Sequence, residues 1–372
     1  MNNILIFYGS NKDFMKHIPN TGRNLTDIVM ELDNDSKKSV MIVKTADQEI
    51  EEEPEKKLVV KDFIINSDEY CGVREHVITN FPNFIAKMEI TNMYIQNPPL
   101  HISEQLHRLY DEKNIIEEKV QPYKKINQKL LKQINSEYDN IIIGQEKAKT
   151  KILQALYPQL DNKRKKPVVL LLYGDSGVGK TETAQYLAKL LHGKLMRKQF
   201  SMYQNNQFAT YLFGGGHSEA SFAKDLLDRD SDVILLDEFD KANSMFHSAF
   251  YQLFDEGIYE DQNYQVKLEK SIIICTSNYK SIDEIKEKLG NAIYNRFDSV
   301  IHFEDLSIEA KTKIADKIME ETIKNFKKKD VILDEDLQKR LRDNAIQCSN
   351  VREIQRLIES TFSLVAIRKM CS

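Results

Sequence analysis

The stretch Gly174-Asp-Ser-Gly-Val-Gly-Lys-Thr181 decides the fold of this chain. It follows the apolar run Pro167-Val-Val-Leu-Leu-Leu-Tyr173 and opens a segment of helical periodicity, so the order is strand, glycine-rich loop, helix. Glycines let backbone N–H groups point at a phosphate chain, and the helix N-terminus adds positive potential. Lys180 is placed to reach the terminal phosphates, and the Thr181 hydroxyl to bind Mg²⁺. The loop residues expected to cradle the phosphates are Asp175, Ser176, Gly177, Val178 and Gly179.

Composition restricts the class of protein. The 372 residues are 41% apolar and 30% charged, which gives room for about two or three domains. A net charge of −4 gives no global reason to expect nucleic-acid binding. The four cysteines are far apart, and no cysteine or histidine spacing is typical of zinc. No leader-like segment or run of ~18 apolar residues is present, so we expect a cytoplasmic protein without a membrane span.

A second chemical signal lies where two further apolar strands end. Val233-Ile-Leu-Leu-Asp-Glu238 has the pattern of a buried parallel strand that ends in a metal and water site. Asp237 would bind Mg²⁺ through water, and Glu238 would orient and polarise the attacking water. Ser271-Ile-Ile-Ile-Cys-Thr-Ser-Asn278 ends in a polar triplet, and the Asn278 amide is placed either to hold that water or to make a turn.

The first part of the chain carries no motif. Strand-like runs at 4–8, 40–43 and 58–65 predict a small α/β domain over residues 1–97, whose default role is to bind a partner or substrate. Residues 98–138 are highly charged, with apolar residues at mainly helical intervals, and predict a helical connector.

The remainder predicts an ATPase in two parts. Residues 139–305 carry the motifs and predict a parallel-sheet α/β core. Residues 306–372 show three helical stretches, the first capped by Ser307, and predict an all-helical domain. The family resemblance described next implies that this domain is a lid over the nucleotide, and we call it the lid.

Residues 139–372 resemble an AAA+ ATPase, and more narrowly the Clp family of unfoldases, especially the second ATPase ring of its disaggregases. Ile142-Ile-Gly-Gln145 is similar to the family's V-I-G-Q segment, which implies that Ile142 and Ile143 contact adenine. Val233–Ala242 is close to the extended Walker B stretch, and Thr276-Ser-Asn278 matches sensor 1. The resemblance implies ATP and Mg²⁺ as cofactors and a ring-forming, hexamer-like assembly.

Two arginines acquire roles from the same resemblance. Ala292-Ile-Tyr-Asn-Arg-Phe-Asp298 looks like the family's F-x-N-R segment, which implies that Arg296 is an arginine finger for a neighbouring subunit's γ-phosphate. Val351-Arg-Glu-Ile-Gln-Arg356 aligns with sensor 2, which implies that Arg352 contacts phosphate from the lid. The family's glycine-alanine pair before that arginine is replaced by Asn350-Val351.

One departure concerns substrate handling. Clp unfoldases grip a threaded polypeptide with an aromatic pore loop, but the corresponding stretch here reads Tyr211-Leu-Phe-Gly-Gly-Gly-His217 and lacks the G-Y-V-G segment. Tyr211 and Phe213 are candidate substitutes, although Phe213 fits a core position equally well. The sequence therefore predicts Mg²⁺-dependent ATP hydrolysis that remodels a protein partner, and it leaves threading open. An ATP-gated switch or scaffold, and a nucleic-acid-linked loader or defence-system ATPase, are the alternatives.

Overall fold

A computed structural model describes residues 1–40, 57–161, 163–202, 207–326 and 334–371. The chain forms two compact units. The first unit consists of Met1–Tyr123, Asn205–Asp230 and Ile258–Leu268. The second unit consists of Lys124–Gln204, Ser231–Gly257 and Glu269–Ser372.

The strands, in chain order, are β1 (Asn3–Tyr8), β2 (Arg23–Asn24), β3 (Leu58–Ile65), β4 (Met88–Gln96), β5 (Ile116–Val120), β6 (Val168–Tyr173), β7 (Met196–Gln199), β8 (Val233–Asp237), β9 (Ile258–Glu260), β10 (Gln265–Lys267), β11 (Ile272–Ser277) and β12 (Ser299–His302). The α-helices are α1 (Asn11–Phe14), α2 (Leu25–Val40), α3 (Glu75–Thr79), α4 (Phe81–Ile85), α5 (Leu100–Tyr110), α6 (Gln128–Ile141), α7 (Glu146–Leu156), α8 (Lys180–Leu190), α9 (Gln207–Phe213), α10 (Phe222–Leu227), α11 (Tyr251–Glu256), α12 (Ile282–Leu289), α13 (Asn291–Tyr294), α14 (Ile308–Phe326), α15 (Glu335–Gln347) and α16 (Val351–Cys371).

The first unit is built on a five-stranded parallel sheet with the strand order β2-β3-β4-β1-β5. Every residue from Ile4 to Phe7 in β1 is buried, as expected of a central strand covered on both faces. The strands predicted at 4–8 and 58–65 are confirmed. Of the strand predicted at 40–43, residues 41–43 lie outside the described residues, and Val40 is the last residue of α2.

The prediction of a helical connector over residues 98–138 is wrong. Helix α5 is followed by strand β5, which pairs in parallel with β1 and completes the sheet of the first unit. The helix prediction from apolar spacing failed here because Glu117, Glu118 and Lys119 fit an exposed helix and an edge strand equally well. Charged residues keep such an edge solvated and unpaired. Only the end of this segment is helical again, in α6, where the Asn127 side chain caps the helix by accepting from the Leu130 amide at 3.0 Å.

Two segments that the sequence assigned to the ATPase core pack instead with residues 1–123. We call them the excursions: residues 207–230, with α9 and α10, and residues 258–268, with the antiparallel hairpin β9–β10. The Asn11 amide donates to Asp228 at 3.0 Å, and the Leu100 amide donates to the Asn263 carbonyl at 2.8 Å. Asn11 and Leu100 follow β1 and β4, so both excursions contact the carboxyl edge of the first unit's sheet.

The second unit contains the predicted parallel-sheet core, with the strand order β12-β6-β11-β8-β7. Strands β6, β8 and β11 are buried along their whole length, as expected of central parallel strands covered on both faces. Helix α6 adds Leu130, Ile134 and Tyr138 to the core at intervals of one helical turn. The predicted fold class is therefore confirmed for this unit.

The end of the chain is helical, as predicted. Ser307 caps α14, because its Oγ accepts from the Ala310 amide at 3.1 Å. Helices α14, α15 and α16 share an apolar cluster that includes Ala315, Leu341 and Ile358. Residues 327–333, between α14 and α15, lie outside the described residues. Among the helices that the structure describes, none is both long and apolar enough to cross a membrane.

Candidate nucleotide site

The carboxyl ends of neighbouring strands create one cleft in the second unit. Strands β6, β11 and β8 lie side by side, so the phosphate loop, the polar triplet and the acidic pair meet at the same edge of the sheet. The cleft has a volume of about 510 Å³. The predicted site residues that line it are Ile142, Ile143, Ser176, Gly177, Val178, Gly179, Lys180, Thr181, Asp237, Glu238, Asn278 and Arg352.

The phosphate loop needs glycine where it passes close to other parts of the chain. Gly174 has φ +133°, and a Cβ atom there would lie 2.3 Å from the Phe303 carbonyl oxygen. Gly177 has φ +78°, and a Cβ atom there would lie 3.0 Å from the Cβ of Asn350. The Gly177 carbonyl also accepts from the Val351 amide at 3.3 Å, so the start of α16 is tied directly to the loop.

Lys180 is buried at the base of this loop. Its Nζ donates to the carbonyl oxygens of Gly174 and Asp175, at 2.6 and 2.7 Å, and to Asn278 Oδ1 at 3.3 Å. Burial lowers the pKa of Lys180 to about 8, although the nearby Asp237 carboxylate acts in the opposite direction. These neutral acceptors compensate the ammonium charge incompletely, so the site favours an anion such as a phosphate beside Lys180.

Asp237 is held by two side chains. The Thr276 hydroxyl donates to Oδ1 at 2.5 Å, and the Arg197 guanidinium donates to Oδ2 through Nε at 2.9 Å and Nη2 at 2.5 Å. The half-buried Thr181 lines the same cleft. A hydroxyl and a carboxylate are the hard oxygen ligands that Mg²⁺ prefers, so these residues fit the metal. The sequence analysis did not identify Arg197. The one feature of the sequence that pointed to it was its position on β7, the short strand that precedes β8 in the chain.

Glu238 lies just beyond the end of β8 in a left-handed conformation, with φ +55°. Its amide donates to Thr276 Oγ1 at 2.9 Å, which fixes this strained residue. A hydrogen bond from the Ser201 hydroxyl, and one from Gln199 Nε2 at 3.1 Å, lower the pKa of the Glu238 carboxyl. Glu238 therefore stays ionised as a hydrogen-bond acceptor in the cleft. Sequence reasoning also missed Gln199 and Ser201.

Apolar residues form the other end of the cleft. Ile142 is buried against the sheet core, whereas Ile143 packs against the cluster of the last three helices. Gln145 is 2% exposed and holds this segment in place. Its Nε2 donates to the Val178 carbonyl at 3.2 Å and the Glu304 carbonyl at 2.8 Å, and its Oε1 accepts from the Glu304 amide at 3.1 Å. This end is suited to a flat apolar group such as a base.

Arg352 contacts the phosphate loop, whereas Asp175 takes part in the site only through its backbone. Arg352 on α16 donates from Nη1 to Ser176 Oγ at 3.2 Å, so the last helix reaches the phosphate loop. Asp175 contributes its carbonyl to Lys180, but its carboxylate forms an ion pair with Lys280 and does not line the cleft.

Arg296 does not line the cleft either. It donates to Asp255 Oδ2 at 2.8 Å and to the Ala292 carbonyl at 2.6 Å, and its guanidinium lies 4.1 Å from the centre of the Tyr251 ring. Arg296 is thus held by these contacts outside the cleft.

The buried lysine, the acidic pair and Arg352 lie around one phosphate loop, and in its fold and in these residues the second unit resembles an AAA+ ATPase domain. Residues 165–343 match the family model described as AAA domain (Cdc48 subfamily). The chain is 29% identical over 208 residues to chaperone protein ClpB of Malacoplasma penetrans, which covers 50% of this chain and 27% of that protein. It is 30% identical over 225 residues to the Clp protease ATP-binding subunit ClpE of Lactococcus lactis, covering 52% of this chain and 30% of that protein.

A solved structure is similar as well. Hsp104, in a closed state with ATPγS and FITC casein, matches with a TM-score of 0.54 at 19% identity, over 80% of this chain and 59% of that chain. At that identity the match shows the fold alone. The predicted resemblance to the Clp family is confirmed for about half of the chain. The chain spans about a quarter to a third of the length of these curated relatives.

Proposed function

We propose that this chain hydrolyses ATP with Mg²⁺ and uses the cycle to remodel a protein partner. The observation that carries the proposal is the convergence of Lys180, Asp237, Glu238 and Arg352 on one cleft whose other end is apolar. In this proposal the cleft would offer a cation at its bottom from Lys180, two oxygen ligands for the metal, a carboxylate for the attacking water and an arginine from the last helix. Phosphoryl transfer needs mainly this positioning and charge stabilisation.

Each residue has a defined task in this proposal. Thr181 and Asp237 would hold Mg²⁺, which when bound neutralises charge on the phosphates. Lys180 would exchange its carbonyl partners for phosphate oxygens, and Asn278, its present neighbour, would hold the attacking water. Glu238 would accept a hydrogen bond from that water, because its lowered pKa keeps it ionised.

The lid would report the state of the nucleotide. Arg352 and the Val351 amide both contact the phosphate loop already, at Ser176 and Gly177. A terminal phosphate offers Arg352 a charged partner in place of a hydroxyl, so ATP would draw α16 towards the loop more strongly than ADP. The angle between core and lid would then change during each cycle.

The assembly would be a ring, hexamer-like in form, in which Arg296 completes the site of the adjacent subunit. Two observations support this: Arg296 lies outside its own cleft, and it is held by an ion pair with Asp255 that is open to exchange. An arginine supplied in trans makes hydrolysis depend on assembly.

The partner would be a protein bound through residues 1–97, and the compartment the cytoplasm. The relatives support a protein partner, since they are named as chaperones and as ATP-binding subunits of Clp proteases.

Substitution of Glu238 tests hydrolysis directly. Glu238→Gln keeps the size and hydrogen-bonding shape of the side chain but removes its charge, so we expect ATP binding within about twofold of wild type. Phosphate release should fall by at least about a hundredfold, the usual loss when a catalytic base is removed. Binding is measured with a fluorescent ATP analogue and turnover by phosphate release. Turnover within a few-fold of wild type would contradict the role of Glu238.

A nucleotide-gated switch is the second candidate, and the burial of Tyr211 favours it. Tyr211 is 8% exposed, and its hydroxyl donates to Asp225 Oδ2 at 2.5 Å within the first unit. An aromatic residue in that position cannot grip a polypeptide without unfolding its surroundings. The excursions also join directly to β8 and β11, which carry Asp237 and lead to Asn278, so nucleotide-dependent movement of these strands would be passed to the first unit.

An unfolded polypeptide distinguishes the two candidates. If the chain remodels proteins, permanently unfolded casein should accelerate phosphate release. If the chain is a switch, casein should have no effect, whereas exchange of ADP for ATPγS should change the hydrogen–deuterium exchange of the Leu100 amide. That amide reports the contact between the first sheet and the hairpin excursion.

A further inference from the structure

The Arg197 guanidinium is hydrogen-bonded to the carboxylate of Asp237, the group at which the metal is expected. It lies on β7, which pairs with β8 so that Gln199 is opposite Asp237. Since side chains alternate along a strand, Arg197 and Gln199 face the same side, and both line the cleft. Nε and Nη2 of Arg197 both donate to Oδ2 of Asp237, so this oxygen receives two charge-assisted hydrogen bonds.

The other oxygen of Asp237 is used by the protein core. Oδ1 accepts from Thr276, whose hydroxyl in turn accepts from the Glu238 amide. This pair of contacts fixes the carboxylate plane and leaves Oδ2 as the oxygen that points into the cleft. Asp237 is only 8% exposed in its side chain, whereas the Arg197 side chain is 41% exposed. The arginine can therefore leave towards solvent, and the aspartate cannot.

The charge of Asp237 explains why an arginine would be placed there. A buried carboxylate beside the phosphate loop repels an incoming nucleotide anion unless a cation offsets it. When Mg²⁺ and its water molecules are present, the metal supplies that cation. When the metal is absent, the Arg197 guanidinium supplies it and also holds Asp237 in one orientation.

We propose that Arg197 is a placeholder for the metal: it neutralises and positions Asp237 in the metal-free cleft, and Mg²⁺ with its water shell displaces it from Oδ2. Arg197 is thus a positioning residue that competes with Mg²⁺ for the same oxygen. It makes nucleotide binding less dependent on metal, and by linkage it makes metal binding weaker. The inference rests on the proposed function only in taking Mg²⁺ and ATP as the ligands of the cleft.

The experiment measures affinity rather than turnover. The dissociation constant of a fluorescent ATP analogue is determined with excess Mg²⁺ and with EDTA, for the wild-type chain and for Arg197→Gln. We expect Arg197→Gln to weaken metal-free binding by about tenfold, because Asp237 is then uncompensated, and to change binding with Mg²⁺ by less than about threefold. The Mg²⁺ concentration that gives half-maximal binding at fixed nucleotide should fall, because the competitor is gone.

Two variants serve as controls. Lys198→Gln removes the same charge from the neighbouring position of β7, which does not line the cleft, and should leave the metal dependence unchanged. Arg197→Lys keeps the charge but loses the planar fork, so it should restore part of the metal-free affinity. Thermal unfolding without nucleotide checks that each variant is folded.

The outcomes separate the inference from the function on which it rests. If Arg197→Gln weakens binding equally with and without Mg²⁺, or changes neither, Arg197 is no placeholder and the inference fails. If the wild-type chain binds no ATP analogue under either condition, the proposed ATPase function fails instead.

Discussion

Replacement of Tyr211 decides whether the stretch around it grips a substrate or holds the first unit together. The ring of Tyr211 lies among other aromatic side chains, with its centre 6.1 Å from that of Phe222 and 6.5 Å from that of Phe208. Tyr211→Ala would remove a buried ring and its hydrogen bond to Asp225. We therefore expect a loss of structural stability rather than a selective loss of substrate handling.

The magnitude follows from the burial. Truncation of a fully buried aromatic side chain costs about 3–5 kcal/mol, and Tyr211 is nearly fully buried. Tyr211→Phe removes only the hydrogen bond to a partly solvated carboxylate and should cost about 1 kcal/mol. For a unit of this size, about 3 kcal/mol corresponds to a fall of about 6–12 °C in the melting temperature. Phe213→Ala is the matched control, because Phe213 is 46% exposed and its truncation should cost much less.

Differential scanning calorimetry, with phosphate release measured below the first transition, is the assay. We expect Tyr211→Ala to lower the melting temperature strongly, Tyr211→Phe to lower it slightly, and both to retain basal ATP turnover while folded. If Tyr211→Ala melted like wild type and lost only its response to unfolded polypeptide, the argument from burial would be refuted. Tyr211 would then be a gripping residue that leaves its buried position.

Two further predictions concern the site and its assembly. Arg296→Ala should abolish turnover. It also removes the half-exposed ion pair with Asp255, which should cost less than about 1 kcal/mol of stability. Mixing Arg296→Ala subunits with Glu238→Gln subunits should restore part of the phosphate release, and no restoration would contradict a site shared between subunits. Gln145→Ala should weaken ATP binding by at least about tenfold, because it leaves buried groups of Val178 and Glu304 without partners at about 1–3 kcal/mol. Gln145→Glu keeps the length but loses the Nε2 donor to both carbonyls, so it should weaken binding as well. Calorimetric titration that gives both variants the affinity of wild type would contradict the role of Gln145.

The sequence predicted the parts of the site that lie in one piece of chain. Lys180 and Thr181 follow an apolar strand and begin a helix, and Asp237 and Glu238 end another such strand. These residues can be predicted because they directly follow, in the sequence, the strand that positions them. The resemblance to a known family added Arg352, which the structure brings to the phosphate loop, and Arg296, which it keeps outside the cleft.

The sequence did not predict contacts that depend on which strands become neighbours. Arg197 and Gln199 reach the acidic pair only because β7 pairs with β8 in one register, and a shift by one residue would turn both side chains to the other face. Strand β5 looked helical because an exposed edge strand and an exposed helix can carry the same charged residues.

What the sequence by itself determined is a set of candidate groups and their order along the chain: a phosphate loop, two carboxylates, an amide and a helical last part, in an order that resembles that of AAA+ ATPases. What only the tertiary structure decided is which distant residues contact these groups and which segments pack together. Packing buried Tyr211, joined the excursions to the carboxyl edge of the first sheet, and set Arg197 against Asp237. The physical reason is that periodicity and propensity are local, whereas these contacts join residues far apart in the chain, which only the paired sheets and the buried core bring together.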